Sequence, residues 1–393
     1  MFSGKKLLIF GGGFLQQSLI QRCKKLGVTT VVIDPFDGAP GKETADHFKV
    51  VGGQDFEGTF EVIEKYGIDG IITSATDKPL VMMARIAEEF KLPFFPVKTA
   101  AICTDKFRMK EVFQAHGIPC ADGHLIETSK DITSYPAIIK PIDNSGSRGV
   151  YFCSNEAEAE TFIEEAFKHT KSPHLLVESI IEGKEYSVES LHFEDEVEIV
   201  QITEKITTEF PTNVEIGHIA PAEITALERE AIVEIIRTIH NAFEFRYCAA
   251  HTELKIKDGN ITVIETSPRL GGDFISSDLA PLSTEINMED QLIAMALGSK
   301  LDLPSVQPQY SGAFFFQFEA GKRIKNLPTL EPLDAMQSLK KIAISVRLDE
   351  TIGTIQSSLD RHGYFVLQTS SREGLIEDRD RIFDYVYSNT EYR

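Results

Sequence analysis

The stretch that decides the fold is NITVIETSPRLGGD, residues 260–273, in which a β-branched run ends in Glu265 and is followed by Arg269 and two glycines. A second strand-like run, HTELKI at residues 251–256, contains Glu253 and is joined to the first by a Lys-Asp-Gly turn. Two such runs predict a β-hairpin in which both carboxylates face the same side. Paired carboxylates of this kind suit Mg²⁺, which combines a few carboxylates with nucleotide phosphates. An ordinary solvated ribbon with surface acids is the alternative interpretation of the hairpin taken alone.

The composition is that of a large, acidic globular protein. With 393 residues and 42% hydrophobic content, the chain can bury extensive cores, and its length suggests roughly two to four domains. Its net charge of -20 disfavours a nucleic-acid partner, because a phosphate backbone requires a basic surface. Five scattered cysteines without a CxxC pair predict neither a disulfide framework nor a zinc site. No apolar run reaches membrane-spanning length or resembles a signal peptide, so we expect a cytoplasmic protein with no membrane partner.

The first hundred residues alternate short apolar runs with amphipathic ones. This alternation predicts a doubly wound parallel α/β domain at residues 1–100. The predicted strands lie at 5–10, 29–34, 70–74 and 92–96, and the predicted helices at 16–26, 60–66 and 79–90.

The rest of the chain has a different texture. Residues 101–300 read as one further domain, with a first part at about 105–180 and a longer, more antiparallel part at about 181–300. Residues 301–309 carry two prolines and are predicted to be a linker. Alternating strands and helices then predict a smaller α+β domain that completes the chain, so the third domain spans 301–393.

A glycine cluster near the start invites a dinucleotide-binding interpretation. Gly11, Gly12 and Gly13 follow a strand, and Asp34 ends the next strand, as in the fingerprint whose backbone approaches a pyrophosphate. The third glycine of that fingerprint is replaced by Gln16. A tight strand-to-helix turn without a ligand explains the same residues.

Two further segments have the character of a phosphate site. The loop NSGSRGV at residues 144–150 follows a strand that contains Lys140, and its small residues can expose several backbone N–H groups to phosphates. It lacks the GxxxxGK[ST] pattern, and a flexible hairpin loop is the alternative. After the run LLVE at 175–178, an extended segment containing Ile181 could read an adenine edge, and Glu185 could accept ribose hydroxyls.

In this order the features resemble the ATP-grasp superfamily. The resemblance rests on DKFRMK at 105–110, IKP at 139–141, the loop SGSRGV, the hinge before Glu185 and the acidic hairpin. It covers roughly residues 1–320 and is nearest to carboxylate-amine ligases of the L-amino acid ligase type. The fold it implies is a multidomain α/β and α+β structure. That structure would be an ATP-grasp domain preceded by a doubly wound parallel domain.

The resemblance also implies roles for individual residues. Lys106 and Lys140 match lysines that contact ATP phosphates, Glu185 matches the ribose ligand, Lys205 resembles a further basic residue near the phosphates, and Arg269 matches the arginine that stabilises the acyl phosphate. The matching loop and adenine-hinge residues are Ser145, Gly146, Ser147, Gly149, Glu178, Ser179 and Ile181. The matching metal ligands are Glu253, Glu265 and Ser267, the last standing where the family usually carries asparagine.

The function implied is ATP-dependent, ADP-forming ligation of a small carboxylate to an amine, with ATP and two Mg²⁺ ions as cofactors and Mn²⁺ as the alternative metal. Many relatives are dimers, so a homodimer is compatible with the resemblance. A carboxylase using bicarbonate, of the biotin or purine type, and a non-catalytic nucleotide-binding protein are the alternatives. Asp273 is open to two interpretations, a ligand for a substrate ammonium group or a helix cap. The segment TSATDK, residues 73–78, ends a strand where open α/β sheets usually bind ligands, and His251 is predicted to be a packed strand residue.

Overall fold

The N-terminal unit is a parallel sheet covered by helices on both faces. The computed structural model describes residues 1–144, 146–209, 212–305 and 309–393. The strands of this unit are β1 (Lys6–Phe10), β2 (Thr29–Asp34), β3 (His47–Val50) and β4 (Gly70–Ile72), in the order β3-β2-β1-β4. Its helices are α1 (Gln17–Lys25), α2 (Gly41–Thr44), α3 (Phe56–Tyr66), α4 (Leu80–Phe90) and α5 (Val97–Cys103).

Both faces of this sheet are buried, which explains why its central strands are continuously apolar. Leu8 packs with residues of α3 and α4 on one face, and Leu7 packs with α1 on the other. The strand predicted at residues 92–96 does not form, because Pro93 and Pro96 cannot donate to a ladder.

The second unit is a small antiparallel sheet with one helix packed on it. It contains α6 (Lys106–Ala115), β5 (Gly123–Ile126), β6 (Ala137–Pro141), β7 (Tyr151–Cys153), α7 (Glu156–Phe167) and β8 (Leu175–Ser179), with strand order β5-β8-β6-β7. Asp105 caps the N-terminus of α6, since its carboxylate accepts from the backbone N–H groups of Phe107 and Arg108. Helix α7 presents Ala159 and Ile163 to a core that they share with Ile139 of β6.

The third unit is dominated by one large sheet. Its elements are β9 (Lys184–Phe193), β10 (Glu196–Thr207), β11 (Glu215–Ala220), α8 (Ala226–Ala242), β12 (Cys248–Lys257), β13 (Asn260–Ser267), a π-helical turn (Ile275–Leu279), α9 (Ala280–Thr284) and α10 (Met288–Ala296). The C-terminal elements are β14 (Tyr310–Phe315), β15 (Ile324–Asn326), β16 (Leu339–Ile344), β17 (Gly363–Thr369), α11 (Arg372–Ser388) and β18 (Glu391–Tyr392). The eight-stranded sheet runs β13-β12-β9-β10-β11-β14-β17-β16, so three C-terminal strands extend it. The remaining two, β15 and β18, pair as a separate two-stranded sheet.

The two faces of the large sheet differ in chemistry. One face is apolar, with Val188 and Leu254 in one core and Phe314 in another. The opposite face carries buried polar side chains across four neighbouring strands, among them Glu189 and Lys205. Buried charges persist only where they are paired, so this face marks the candidate site. Among the described residues, none of the helices combines the length and apolar composition of a membrane span.

Candidate active site

The acidic hairpin forms as expected, and its two acids lie side by side. Glu253 on β12 is the register partner of Glu265 on β13, next to a bulge in the ladder. Residues directly opposite each other in an antiparallel pair share a face, so both carboxylates project from the same side. Their side chains are 20% and 22% exposed. Among the described residues no group of three or more His, Cys, Asp and Glu is arranged around a metal position, so the two acids form a partial site that suits Mg²⁺ completed by phosphate and water.

Lys106 connects the second unit to these acids. It begins α6, its side chain forms an ion pair with Glu265, and its backbone N–H donates to the carbonyl of Ile142 at 2.9 Å. Burial would lower the pKa of the Lys106 ammonium, but Glu265 and the nearby Asp77 and Glu253 raise it. The residue therefore stays charged and links the end of β6 to the hairpin.

Lys205 lies at the centre of three carboxylates. Its ammonium contacts Glu253 and Glu185 at 2.9 Å each and Glu215 at 3.3 Å, and its side chain is 2% exposed. Burial would lower the pKa of this lysine, but the three acids raise it well above its ordinary value. Glu185, the expected ribose ligand, is thus brought next to Glu253 through a shared cation. Burial opposes ionisation of Glu253, yet Lys205 and His251 hold the pKa of its carboxyl well below the usual range.

Lys140 belongs to a buried cluster that the sequence reveals only in part. Its ammonium and that of Lys110 both pair with the carboxylate of Glu178, which is 8% exposed, and the Lys110 contact is 2.6 Å. The Glu178 side chain is therefore engaged by the two lysines. The backbone of the neighbouring Ser179 and Ile181 would be available to contact the adenine that the resemblance implies. The signal for Lys110 is its spacing: it lies four positions after Lys106 on α6 and so on the same helix face.

The small-residue loop between β6 and β7 contains several residues with positive backbone φ angles. Gly146 and Gly149 have φ values of 68° and 78°, and Ser147, which is not a glycine, has 56°. A Cβ on Gly149 would lie 2.9 Å from the side chain of His169, so this position requires glycine. Ser145, the first residue of the expected phosphate loop, lies outside the described residues.

Arg269 is held by the N-terminal unit. Its guanidinium contacts the carboxylate of Asp77 at 2.8 and 3.3 Å, and the hydroxyl of Ser267 donates to the same carboxylate at 2.5 Å. Burial would raise the pKa of Asp77, but Arg269 and Ser267 hold it below its usual value. The serine that replaces the family's asparagine is thus engaged with Asp77. Residues 73–78 were expected to face the site, but the pairing of Asp77 with Arg269 was not predicted.

His251 links Glu253 to a fully buried acid. Its Nδ1 lies 2.5 Å from Glu189, and its Nε2 lies 3.1 Å from Glu253. Glu189 also accepts hydrogen bonds from the Ser276 hydroxyl at 3.0 Å and the Gly271 backbone N–H at 3.3 Å. Burial would lower the pKa of His251, but the two acids raise it to about 9. His251 is thus a charged residue that connects two acids, and not merely a packed strand residue. Glu189 was not predicted, because a single acid within a β-strand pattern does not indicate a functional site.

Both interpretations offered for Asp273 are wrong. Its carboxylate receives two hydrogen bonds of 2.7 Å from the Arg361 guanidinium, which belongs to the C-terminal segment. It makes no capping hydrogen bond to the helical turn that follows. Because this cation already neutralises it, Asp273 is not an open site for a substrate ammonium group.

The glycine cluster is a structural turn. The backbone N–H groups of Gly12 and Phe36 both donate to the carboxylate of Asp34 at 2.8 Å, so that acid is not free to bind a ribose. The side-chain amide of Gln16 donates to the carbonyl of Ser74 at 2.7 Å and lies against Gly11. These contacts favour the interpretation of a tight turn without a ligand.

Fold and site together define the class of protein. The chain combines a parallel N-terminal sheet, a small antiparallel unit with a glycine loop and Lys140, and a large sheet bearing two paired acids and Lys205. This is the arrangement expected of an ATP-grasp protein. Residues 133–278 match the model of the ATP-grasp domain. The chain therefore contains an ATP-grasp domain, and the predicted resemblance is confirmed.

Curated proteins and solved structures similar to this chain include the following three. The chain is 24% identical over 312 residues, 77% of its length, to the uncharacterized protein y4rH of Sinorhizobium fredii. It is 27% identical over 214 residues, 52% of its length, to the formate-dependent phosphoribosylglycinamide formyltransferase of Sulfurisphaera tokodaii. These matches span 64% and 54% of the relatives' own lengths. The L-amino acid ligase from Bacillus licheniformis has the same fold, with a TM-score of 0.84, 22% identity, and coverage of 100% of this chain and 99% of that one.

Proposed function

We propose that this protein is an ATP-dependent, ADP-forming ligase that activates a small carboxylate as an acyl phosphate and joins it to an amine. The observation that carries the proposal is the pairing of Glu253 with Glu265 across one ladder position, with Lys205 bound to the first and Lys106 to the second. Ligands for a hard cation and cations for phosphates are thereby concentrated on one sheet face.

Each group has a role that follows from its chemistry. In this proposal Glu253 and Glu265 hold one or two Mg²⁺ ions, or Mn²⁺, whose charge would offset that of the phosphates. Lys106 and Lys140 neutralise the phosphates, and Glu185 accepts the ribose hydroxyls. In the free protein these lysines are paired with carboxylates, which keeps them ordered but requires each to exchange a partner for a phosphate oxygen.

The acyl-transfer chemistry depends on positioning and on charge. Attack of a carboxylate on an anionic phosphoryl group is accelerated by fixed cations, because little covalent work is left to the protein. Arg269 would stabilise the carboxylate and the later oxyanion, and Asp77 fixes its orientation from the N-terminal unit. The loop containing Gly146 and Gly149 would close over the intermediate and exclude water.

The test is a screen of phosphate release with Mg-ATP against amino acids and small carboxylic acids, singly and in pairs. Glu265→Gln and Lys140→Ala should each reduce turnover by about 100-fold or more, the usual effect of removing one preorganised electrostatic contact. Lys322→Ala is the matched control, since this lysine is half exposed, pairs with Glu319 on the surface and lies over the Tyr392 ring, away from the site. Turnover close to that of the unmodified protein in either site variant would contradict the assignment.

Two arms of the same screen address the alternatives. Phosphate release that depends on bicarbonate, with no added amine, would favour a carboxylase. Tight ATP binding without turnover on any acid and amine would favour a non-catalytic nucleotide-binding protein. The screen also identifies the substrates, because the proposed contacts would suit many different acids and amines.

A further inference from the structure

His218 on β11 is a buried histidine whose ring lies 3.7 Å from the Asp273 carboxylate, beyond hydrogen-bond distance. It is 1% exposed, and neither of its ring nitrogens has a hydrogen-bond partner. Among the described residues it is the one side chain with two such atoms. A neutral imidazole always carries one N–H donor and one bare acceptor, and buried polar atoms without partners are rare in folded proteins. The free protein therefore bears a cost that a bound ligand could remove.

The position of His218 relates it to the candidate active site. It is the register partner of Lys205 across the β10–β11 ladder, so the two side chains share a sheet face as neighbours. Lys205 in turn contacts Glu253 at 2.9 Å. His218 thus lies one strand from Lys205 and three strands from Glu253, on the side toward the C-terminal strands.

An acid and an arginine surround the ring. The Asp273 carboxylate lies 3.7 Å from Nε2, and Arg361 binds that carboxylate through two contacts of 2.7 Å. The guanidinium is fixed over the Phe315 ring at 3.6 Å, and it also donates to the carbonyl of Ser358. An anion next to Nε2 favours the tautomer that keeps its proton there, which leaves Nδ1 as the bare acceptor.

The backbone at Asp273 supports a functional reason for this arrangement. Asp273 and Phe274 have φ values of 50° and 67°, a conformation that L-residues other than glycine rarely adopt. Such strain persists where surrounding contacts impose it, and it is concentrated at ligand sites. Here the strained backbone turns the Asp273 carboxylate toward His218 on β11.

We infer that His218 is the base that accepts the proton of the attacking amine, and that Asp273 and Arg361 are its positioning residues; this inference rests on the proposed ligase function. The amine nitrogen attacks the acyl carbon, and a C–N bond forms. The C–O bond to phosphate breaks, and inorganic phosphate leaves with that electron pair. An ammonium substrate loses two protons in this reaction. The first passes from the nitrogen to Nδ1 before the attack, and Asp273 stabilises the resulting imidazolium. The second leaves with the inorganic phosphate. Since both ring nitrogens are covered in the free protein, the amine gains access by displacing a neighbouring side chain.

The experiment separates activation of the acid from transfer to the amine. The acid that responds in the screen is incubated with Mg-ATP and hydroxylamine, which is unprotonated at neutral pH and traps acyl phosphates as hydroxamates. His218→Gln should form hydroxamate at a rate within about threefold of the unmodified protein. Its transfer to the amine from the screen should fall by about 100-fold or more at pH 7. The partly exposed His174→Gln is the control and should change neither rate.

The pH dependence adds a readout that a structural role would not move. The deficit of His218→Gln should narrow at alkaline pH, where the amine loses its proton to solvent before it attacks. Among the described residues, Asp273 lies 3.7 Å from the ring and is paired with Arg361. Lys205 is opposite His218 in the ladder and is paired with Glu215. The variant alters none of these four groups. Unchanged amine transfer, or equal loss of both reactions, would overturn the inference. Absence of hydroxamate from the unmodified protein with every acid would instead refute the ligase function.

A second variant tests the unpartnered nitrogens directly. His218→Phe removes both polar atoms while keeping a ring, so it should raise the urea midpoint of unfolding and abolish accelerated amine transfer. A histidine retained for packing or for a hidden hydrogen bond would give the opposite result, a lower midpoint.

Discussion

Replacing Glu289 with glutamine is expected to stabilise the protein at neutral and alkaline pH and to have little effect below about pH 4.5. Glu289 begins α10 and is 3% exposed where α10 meets the N-terminal unit, and its carboxylate accepts a hydrogen bond from the Ser18 hydroxyl at 2.6 Å. Burial raises the pKa of Glu289 to about 7, and Ser18 and Arg22 offset only part of this effect. The interface therefore contains an acid that ionises reluctantly.

The direction of this pH effect on stability follows from proton linkage. A folded pKa of about 7 against an ordinary value of 4.5 means that the folded protein holds this proton more tightly than the unfolded chain does. Its stabilising effect is complete below the ordinary value and is lost as the pH rises through the folded pKa. At 1.36 kcal/mol per tenfold change in proton affinity, the loss amounts to about 3 kcal/mol.

Urea denaturation at about pH 5 and pH 8 measures this difference. Glutamine has the same shape and never ionises, so Glu289→Gln should be within about 1 kcal/mol of the unmodified protein at the lower pH and exceed it by about 3 kcal/mol at the higher one. Glu285→Gln is the matched control, because Glu285 is exposed on the preceding turn and should show no such divergence. Equal stability of Glu289→Gln and the unmodified protein at both pH values would refute the reasoning.

Three further predictions concern the site. Gly271→Ala places a Cβ 2.7 Å from Nδ1 of His251, so turnover should fall by about tenfold or more, whereas Gly272→Ala meets nothing within 4 Å and should be silent in the same phosphate-release assay. Asp77→Asn leaves a buried guanidinium without its counter-charge, so the free energy of unfolding should drop by about 3 kcal/mol; an unchanged urea midpoint would contradict this. The pKa of His251, about 9 against an ordinary 6.5, contributes stability that is complete below the ordinary value and lost as the pH rises through the raised one. In Glu189→Gln, the urea midpoint should therefore fall less steeply between about pH 6.5 and 9 than in the unmodified protein. An equally steep fall would argue against coupling between His251 and Glu189.

Patterns among neighbouring residues were sufficient to predict much of the fold and the acidic hairpin. The alternation around Glu253 and Glu265 and the turn between them are properties of neighbouring residues, and the structure pairs the two acids as expected. The glycine loop and the first parallel strands were likewise readable, because turn chemistry and burial of both faces leave strong marks on the sequence.

What could not be predicted depends on contacts between distant segments. Asp77 meets Arg269 across 192 positions, and Arg361 meets Asp273 across 88, so neither pairing has a local signature. Glu189 is one of several acids on its strand, and only the packing of β12 beside β9 singles it out. Such partners are chosen by tertiary geometry, whereas patterns along a chain record mainly secondary structure and burial.

The ladder that carries the acids does not end with the domain that the sequence suggested. β11 hydrogen-bonds to β14, with Ala220 opposite Ser311, and β14 to β17. A shortened chain ending near residue 300 would leave β11 as an open edge of unpaired amides and carbonyls, the usual template for self-association. Such a fragment would keep every group proposed to bind the nucleotide and yet precipitate. The C-terminal strands therefore protect the sheet edge in addition to supplying Arg361.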